Sequence, residues 1–216
     1  MNRIIFVLPI FLALAGCGNK QDANEENFSA AINQYFDKHG DLCLTLKKWP
    51  IDVTENDLTM QKSAPTWIAA QAAALQAAGL VSGSDAEVDE PNLFNAAIVK
   101  KVKVKRYELT DSGQKFLKTE EVPLLIGGGK ATIRKLCYGT KMVSRIVKWE
   151  GPRDVAGSHI AKVSYRYKIN NLADWSKNSA IQAAFPSVAS DIKGVEESEE
   201  NAIVKLTNVG WEHSQL

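Results

Sequence analysis

The 216-residue chain is 45% hydrophobic and 24% charged, with 14 Gly and 7 Pro, which excludes a collagenous or low-complexity protein. Its 26 Lys+Arg against 25 Asp+Glu give a net charge of +1, without the acidic excess of a solvating tail or the basic excess of a nucleic-acid binder. Three cysteines are too few for a disulfide-dense scaffold and an odd number for a fully paired set.

The chain opens with Arg3 and then twelve residues, 4–15, that are apolar apart from Pro9. A membrane-spanning helix needs about 20 apolar residues, so this length matches the h-region of a secretory signal instead. Leu14, Ala15, Gly16 and Cys17 follow at its end. This run resembles the lipobox of bacterial lipoprotein precursors. The resemblance implies cleavage before Cys17, a diacylglycerol on its thiol and an acylated amine. Gly18, where an Asp would favour inner-membrane retention, implies the outer membrane. Several acyl chains, each methylene contributing about 0.8 kcal/mol, hold such a protein firmly. Removing residues 1–16 removes only Arg3, so the mature chain carries 25 charges of each sign. Residues 18–26 are polar and without apolar periodicity, which predicts a flexible tether, with the folded part beginning near Asn27.

Phe28, Ile32, Tyr35 and Phe36 form one stripe of an amphipathic helix ending near Gly40. Residues 42–46 are apolar-rich and extended, closed by Trp49 and Pro50. A second helix over 67–78 is capped by Ser63, with Pro65 in the first turn and Gly79 as its stop. Val102 and Val104 alternate with Lys101, Lys103 and Lys105, which predicts a strand continuing to Leu109. Thr110 then caps a short helix to about Leu117. Beyond Lys130, strands are expected at 132–138, 141–149 and 160–169, with turns at Gly139-Thr140 and 151–157. A third helix is expected over 172–184, stopped by Phe185-Pro186, then an acidic loop at 196–200 and a last strand at 201–211. The fold class is α+β: a helix-rich part, 27–125, packed on an antiparallel sheet with one helix, 130–216.

Within the first part, Gly79-Leu80-Val81 and the segment Tyr107-Glu108-Leu109-Thr110-Asp111-Ser112-Gly113 resemble the second half of a winged-helix domain over about 64–117. That resemblance implies a recognition helix before Gly79 and a wing before Tyr107. The helix carries Gln71, Gln76 and alanines but no Arg or Lys for bases or phosphates, so the expected use is a scaffold or protein contact.

Candidate chemistry is sparse. With Cys17 lipidated, Cys43 and Cys137 remain; an extracytoplasmic compartment favours a disulfide between them, two buried thiols being the alternative. His39, His159 and His213 share no metal-ligand spacing and are expected at surfaces or turns, and Glu212-His213 belongs to no H-E-x-x-H helix. There is no G-x-S-x-G elbow, and Ser158 and His159, adjacent in a strand, point to opposite faces. Gly127-Gly128-Gly129-Lys130 fails as a phosphate loop, because Leu124 and Ala131 occupy its required Gly and Ser/Thr positions, and is expected to be a flexible junction. No catalytic residue, metal or cofactor is expected. Lys101, Lys103 and Lys105 form a basic stripe that either meets anionic lipid or polysaccharide or guards a strand edge. Trp49, Trp67, Trp149, Trp175 and Trp211 are expected as core anchors, the alternative being that one or two line a groove.

The expected protein is a lipid-anchored, periplasm-facing envelope lipoprotein, non-enzymatic, binding a protein or envelope component and no nucleic acid. Two other readings stand beside it. One is a protective inhibitor or immunity lipoprotein that sequesters a toxin or antibiotic-active agent; the other is an enzyme with no recognisable motif.

Overall fold

The computed structural model describes residues 19–44, 46, 49–61, 64, 66–91, 99–124 and 128–216. Cys17, Gly18, Ser63, Pro65 and Gly127 lie outside the described residues. Helix α1 (Glu25–His39) buries Phe28, Ala31, Ile32 and Phe36, has Glu25 and Glu26 in its first turn and Lys38 and His39 in its last, and so suits the helix dipole at both ends. It starts before Asn27, because the Asn24 side chain caps it by accepting from the Asn27 amide at 2.9 Å. Nor are the described residues ahead of it, 19–24, a free tether. Asn27 Nδ2 donates to the carbonyls of Asn19 and Asp22, and Trp211 Nε1 donates to that of Gln21. Polar composition suggested solvation there; the same polar groups satisfy a folded turn.

Strands β1 (Asp41–Leu44) and β2 (Ile51–Val53) lead into helices α2 (Glu55–Gln61) and α3 (Ile68–Ala77). Gly79, at φ +72°, takes the left-handed conformation that stops α3, as its position after the Ala-rich run requires. Strands β3 (Val81–Pro91) and β4 (Val99–Leu109) form an eleven-residue antiparallel ribbon. β3 escapes a sequence reading because its residues, SGSDAEVDEP after Val81, are largely wet on both faces and owe their strand to β4. Thr110 caps α4 (Asp111–Gln114), its hydroxyl accepting from the Gly113 amide, and the expected helix to Leu117 is shorter because Leu117 already begins β5 (Leu117–Pro123).

The first two strands expected after Lys130, 132–138 and 141–149, are one: β6 (Lys130–Val155) runs 26 residues through Gly139. That glycine is no turn. A Cβ there would come closer than 3.0 Å to the Ile169 side chain, so its role is close approach within the sheet. The turn falls at Ala156 and Gly157, both at positive φ, and returns the chain as β7 (Ser158–Asn170). The expected third helix is broken into a 3-10 turn (Asp174–Lys177), α5 (Ser179–Ala184) and α6 (Pro186–Lys193). The stop expected at Phe185-Pro186 is where α5 ends, with Phe185 as its C-cap, and Pro186 also starts α6 at its first position, where a missing amide costs nothing. The last element is a hairpin, β8 (Glu199–Thr207) and β9 (Gly210–His213), whose first strand absorbs Glu199 and Glu200 from the expected loop.

The class is broadly α+β, with strands through both halves. The large sheet runs β1-β6-β7-β8-β9, β5 also pairing β6, and a small sheet runs β2-β4-β3. α1 packs Phe28, Ile32 and Phe36 against Val163, Tyr165, Val204 and Trp211 in one core. The other core joins Leu75 of α3 and Tyr107 of β4 to Ile181, Val188 and the Leu136–Tyr138 stretch of β6. It therefore draws on residues from both sides of position 125. Tyr138 and Tyr167 tie α6 to the large sheet, donating to the Asp191 carboxylate at 2.6 Å and carbonyl at 2.8 Å.

Candidate binding surface

The lysine stripe sits on the β3–β4 ribbon with an acidic stripe across from it. Lys101 is directly opposite Asp89, Lys103 opposite Glu87 and Lys105 opposite Asp85. Cross-strand neighbours on one face lie about 5 Å apart, so each lysine has a carboxylate within reach of its own strand pair. The other face pairs Val102 with Val88 and Val104 with Ala86. β2 reaches only from Ile51 to Val53, opposite Tyr107 to Lys105, so beyond Lys105 the ribbon is two-stranded. Arg106 fastens its base through a two-pronged contact to Asp52, at 2.7 and 2.9 Å.

Beside the ribbon, α2 and α3 present Leu58, Met60 and Trp67, which are 50%, 39% and 39% exposed. Trp67 is thus not a core anchor, and Trp149, against Phe28 at 5.5 Å, is also 36% exposed. Trp49, Trp175 and Trp211 pack into the two cores. Trp67 is held rigidly. Its Nε1 donates to Asp57 Oδ1 at 2.9 Å, while Asp57 Oδ2 accepts from the Thr54 hydroxyl at 2.6 Å and the Thr54 amide at 2.9 Å. Burial alone would raise the Asp57 carboxyl, but the hydrogen bonds from Thr54 and Trp67 outweigh it and hold the group below its ordinary range. The sequence signal for this was present: Thr54-Glu55-Asn56-Asp57 has the spacing of a capping box, with a carboxylate three residues after a Thr. Between α2 and the ribbon lies a cleft of about 750 Å³, with Val53, Leu58, Ala86 and Val104 among its apolar lining and Glu87 and Lys103 among its charged groups.

A second cleft, about 880 Å³, is lined by Lys38, His39, Asp41, Lys118, Arg134 and Lys135, with the Cys43–Cys137 disulfide in its wall. The bridge joins residues directly paired between β1 and β6. Ligand atoms of Asp41, Cys43 and Cys137 lie within 4.8 Å of one another, but both sulfurs are consumed by the bridge, which leaves no thiolate to bind a metal. Lys118 instead pairs Asp41 at 2.6 Å.

Two histidines unrelated by spacing meet in space. Tyr35 on α1 stacks on His213 at 4.0 Å between ring centroids and faces His39 at 4.7 Å. His213 is not a surface residue: it is 8% exposed, and Nδ1 accepts from the Gln215 amide. Burial, then the proximity of His39, holds His213 below its ordinary pKa. Since the folded state binds its proton less readily than the unfolded chain, stability is full above about pH 6.5 and falls as pH drops through the lowered folded value. Thermal melts at pH 7.5 and 5.0 are expected to show the higher midpoint at pH 7.5, and His213→Phe is expected to shrink that difference. An undiminished difference in the variant would assign the pH dependence elsewhere. His159, by contrast, is exposed and contacts Asp154 across the β6–β7 turn.

The buried tyrosines serve as ties. Burial first, then the neighbouring carboxylates, raises Tyr138 and Tyr165 well above the ordinary phenol range, and Tyr167 is pushed up to about 12. Their hydroxyls hold protons at neutral pH and donate, Tyr165 to Glu200 at 3.0 Å.

No protein-family model, curated protein or solved structure matches this chain.

Proposed function

We propose that the chain is a lipid-anchored envelope lipoprotein, attached through Cys17, facing the periplasm and sorted to the outer membrane by the absence of an Asp at position 18. Its work is binding, not catalysis, and its partner is a protein or envelope component. The address rests on Leu14-Ala15-Gly16-Cys17 at the end of a twelve-residue apolar run. The Cys43–Cys137 bridge suits an oxidising compartment.

The observation that carries the binding reading is the Leu58–Met60–Trp67 surface, where an indole is fixed by a hydrogen bond to the half-buried Asp57 carboxylate while a third or more of its residue faces solvent. A rigid aromatic anchor amid aliphatic neighbours has the composition of an interface hot spot. The order β2–α2–α3–β3–β4, with β4 between β2 and β3, supports a winged-helix-like scaffold packed on the large sheet. The exposed face of α3 offers Ala73, Gln76 and Ala77 and no cation, which suits a protein contact and not a phosphate backbone.

The test uses the full chain in intact cells, with a photoreactive residue in place of Leu58. A discrete protein or envelope-component adduct is expected, lost on Trp67→Ala, and Cys17→Ser is expected to abolish fatty-acid labelling and release the protein from the membrane fraction. Adducts unchanged by Trp67→Ala would remove the binding surface; persistent labelling of the Cys17 variant would remove the anchor.

A further inference from the structure

Residues Lys20 and Gln21 pack onto one end of the large sheet. The Lys20 backbone lies against Gly210 in the β8–β9 turn, and the Gln21 carbonyl accepts from Trp211 Nε1 at 3.1 Å. The next turn of the sheet is alongside. Ile160 of β7 pairs with Lys205 of β8, and two residues further on β7 begins at Ser158 and β8 ends at Thr207. The β6–β7 and β8–β9 turns therefore project from the same end.

Both turns carry an exposed aliphatic residue, Val155 at 46% and Val209 at 64%. Cations stand beside them: Lys20 against Gly210, and Arg153 two residues before Val155. Carboxylates are present too: Asp154 faces His159 across the turn, and Glu26 and Glu212 line the cleft that Lys20 shares with Val209 and Gly210. An apolar tip with flanking cations fits a phospholipid interface, where methyl groups enter the headgroup layer and ammonium or guanidinium groups meet phosphates.

From these placements we infer that the β6–β7 and β8–β9 turns are the membrane-apposed end of the protein, seated on the phospholipid surface that holds its acyl chains. The inference rests on acylation of Cys17. Only Gly18 separates Cys17 from Asn19, two residue steps that reach about 7 Å at full extension, so the anchor cannot carry this end far from the bilayer. β6 then sets the opposite end: its start pairs with β5 and leads to Leu124, an equally apolar residue 49% exposed. From Leu136 to Val155 an extended strand spans at most about 65 Å, and the disulfide and the small-sheet unit lie at the Leu136 side of it, toward the periplasm in this orientation.

The experiment takes full-length chain processed in cells and reconstitutes it in vesicles of phosphatidylethanolamine and phosphatidylglycerol. A photoreactive amino acid replaces Val155, Val209 or, as the control, Leu124, and intact mass on each sample reports acylation of Cys17. Lipid adducts are expected at 155 and 209, with none above background at 124. Acylated protein with equal adducts at all three positions, with adducts at 124 alone, or with protein adducts in place of lipid at 155 and 209 would overturn the orientation. Unacylated Cys17 would overturn the anchor on which it rests.

Discussion

Replacing Cys43 and Cys137 together by Ala is expected to cost up to about 4.7 kcal/mol of stability, the chain-entropy figure for a loop of about 100 residues. The two half-cystines are 94 residues apart, and the loop they close contains β2, α2, α3, β3, β4, α4 and β5. Opening it frees the whole small-sheet unit from the strand it packs beside, so the unfolded chain gains most of the entropy that the bridge removes. The bond also joins a directly paired position of β1 and β6, so the variant loses no register partner and keeps the strand pair itself. Equilibrium urea unfolding of oxidised protein and the double variant measures the difference. A loss below about 1 kcal/mol would show that the unfolded ensemble retains enough structure to need no bridge. Because β6 contributes Leu136 and Tyr138 to one core and Val143 and Ile146 to the other, fluorescence and circular dichroism are expected to report one shared transition in both proteins.

The second large effect is expected at Gly113. A Cβ there would sit closer than 3.0 Å to the Leu80 carbonyl oxygen, a backbone atom that cannot rotate away. That carbonyl also accepts from the Thr110 amide, and the Thr110 hydroxyl both donates to the Gly79 carbonyl at 2.7 Å and accepts from the Gly113 amide at 3.1 Å. Adding one methyl must therefore push α4 off the α3–β3 junction, and Gly113→Ala is expected to cost about 3 kcal/mol, the upper part of the overpacking range. Gly79→Ala isolates a different cause. Its Cβ would meet nothing within 4 Å, so only the left-handed backbone at φ +72° penalises it, by about 1–2 kcal/mol. Urea midpoints that rank the two variants in the reverse order would locate the junction's constraint in the turn of Gly79 and not in the contact at Gly113.

Much of the local structure is legible before folding is considered. The stripe of α1, the stop at Gly79 and the cap at Thr110 depend on neighbours within one or two turns, so residue order alone specifies them. The Val/Lys alternation of β4 is similarly local. The misses share a cause. β3 has little apolar face of its own, and Gly139 is a glycine used for close contact within a sheet and not for a turn. Each depends on a partner distant in the chain.

The site divides in the same way. The lipobox resemblance is a contiguous run, and the near balance of charge is a property of composition; neither requires coordinates. The lysine stripe shows why composition stops there. Its three carboxylate neighbours come from β3, and only the register of two strands puts Asp89, Glu87 and Asp85 across from Lys101, Lys103 and Lys105. Tyr35, His39 and His213 likewise meet because α1 lies on the sheet that β9 completes, and Trp67 reaches Asp57 because two helices pack. Periodicity and capping act over the few residues of a helical turn or strand repeat and can be read along the chain. Charge compensation, burial of a histidine and exposure of a tryptophan are relations between distant segments, and strand register and helix packing decide them.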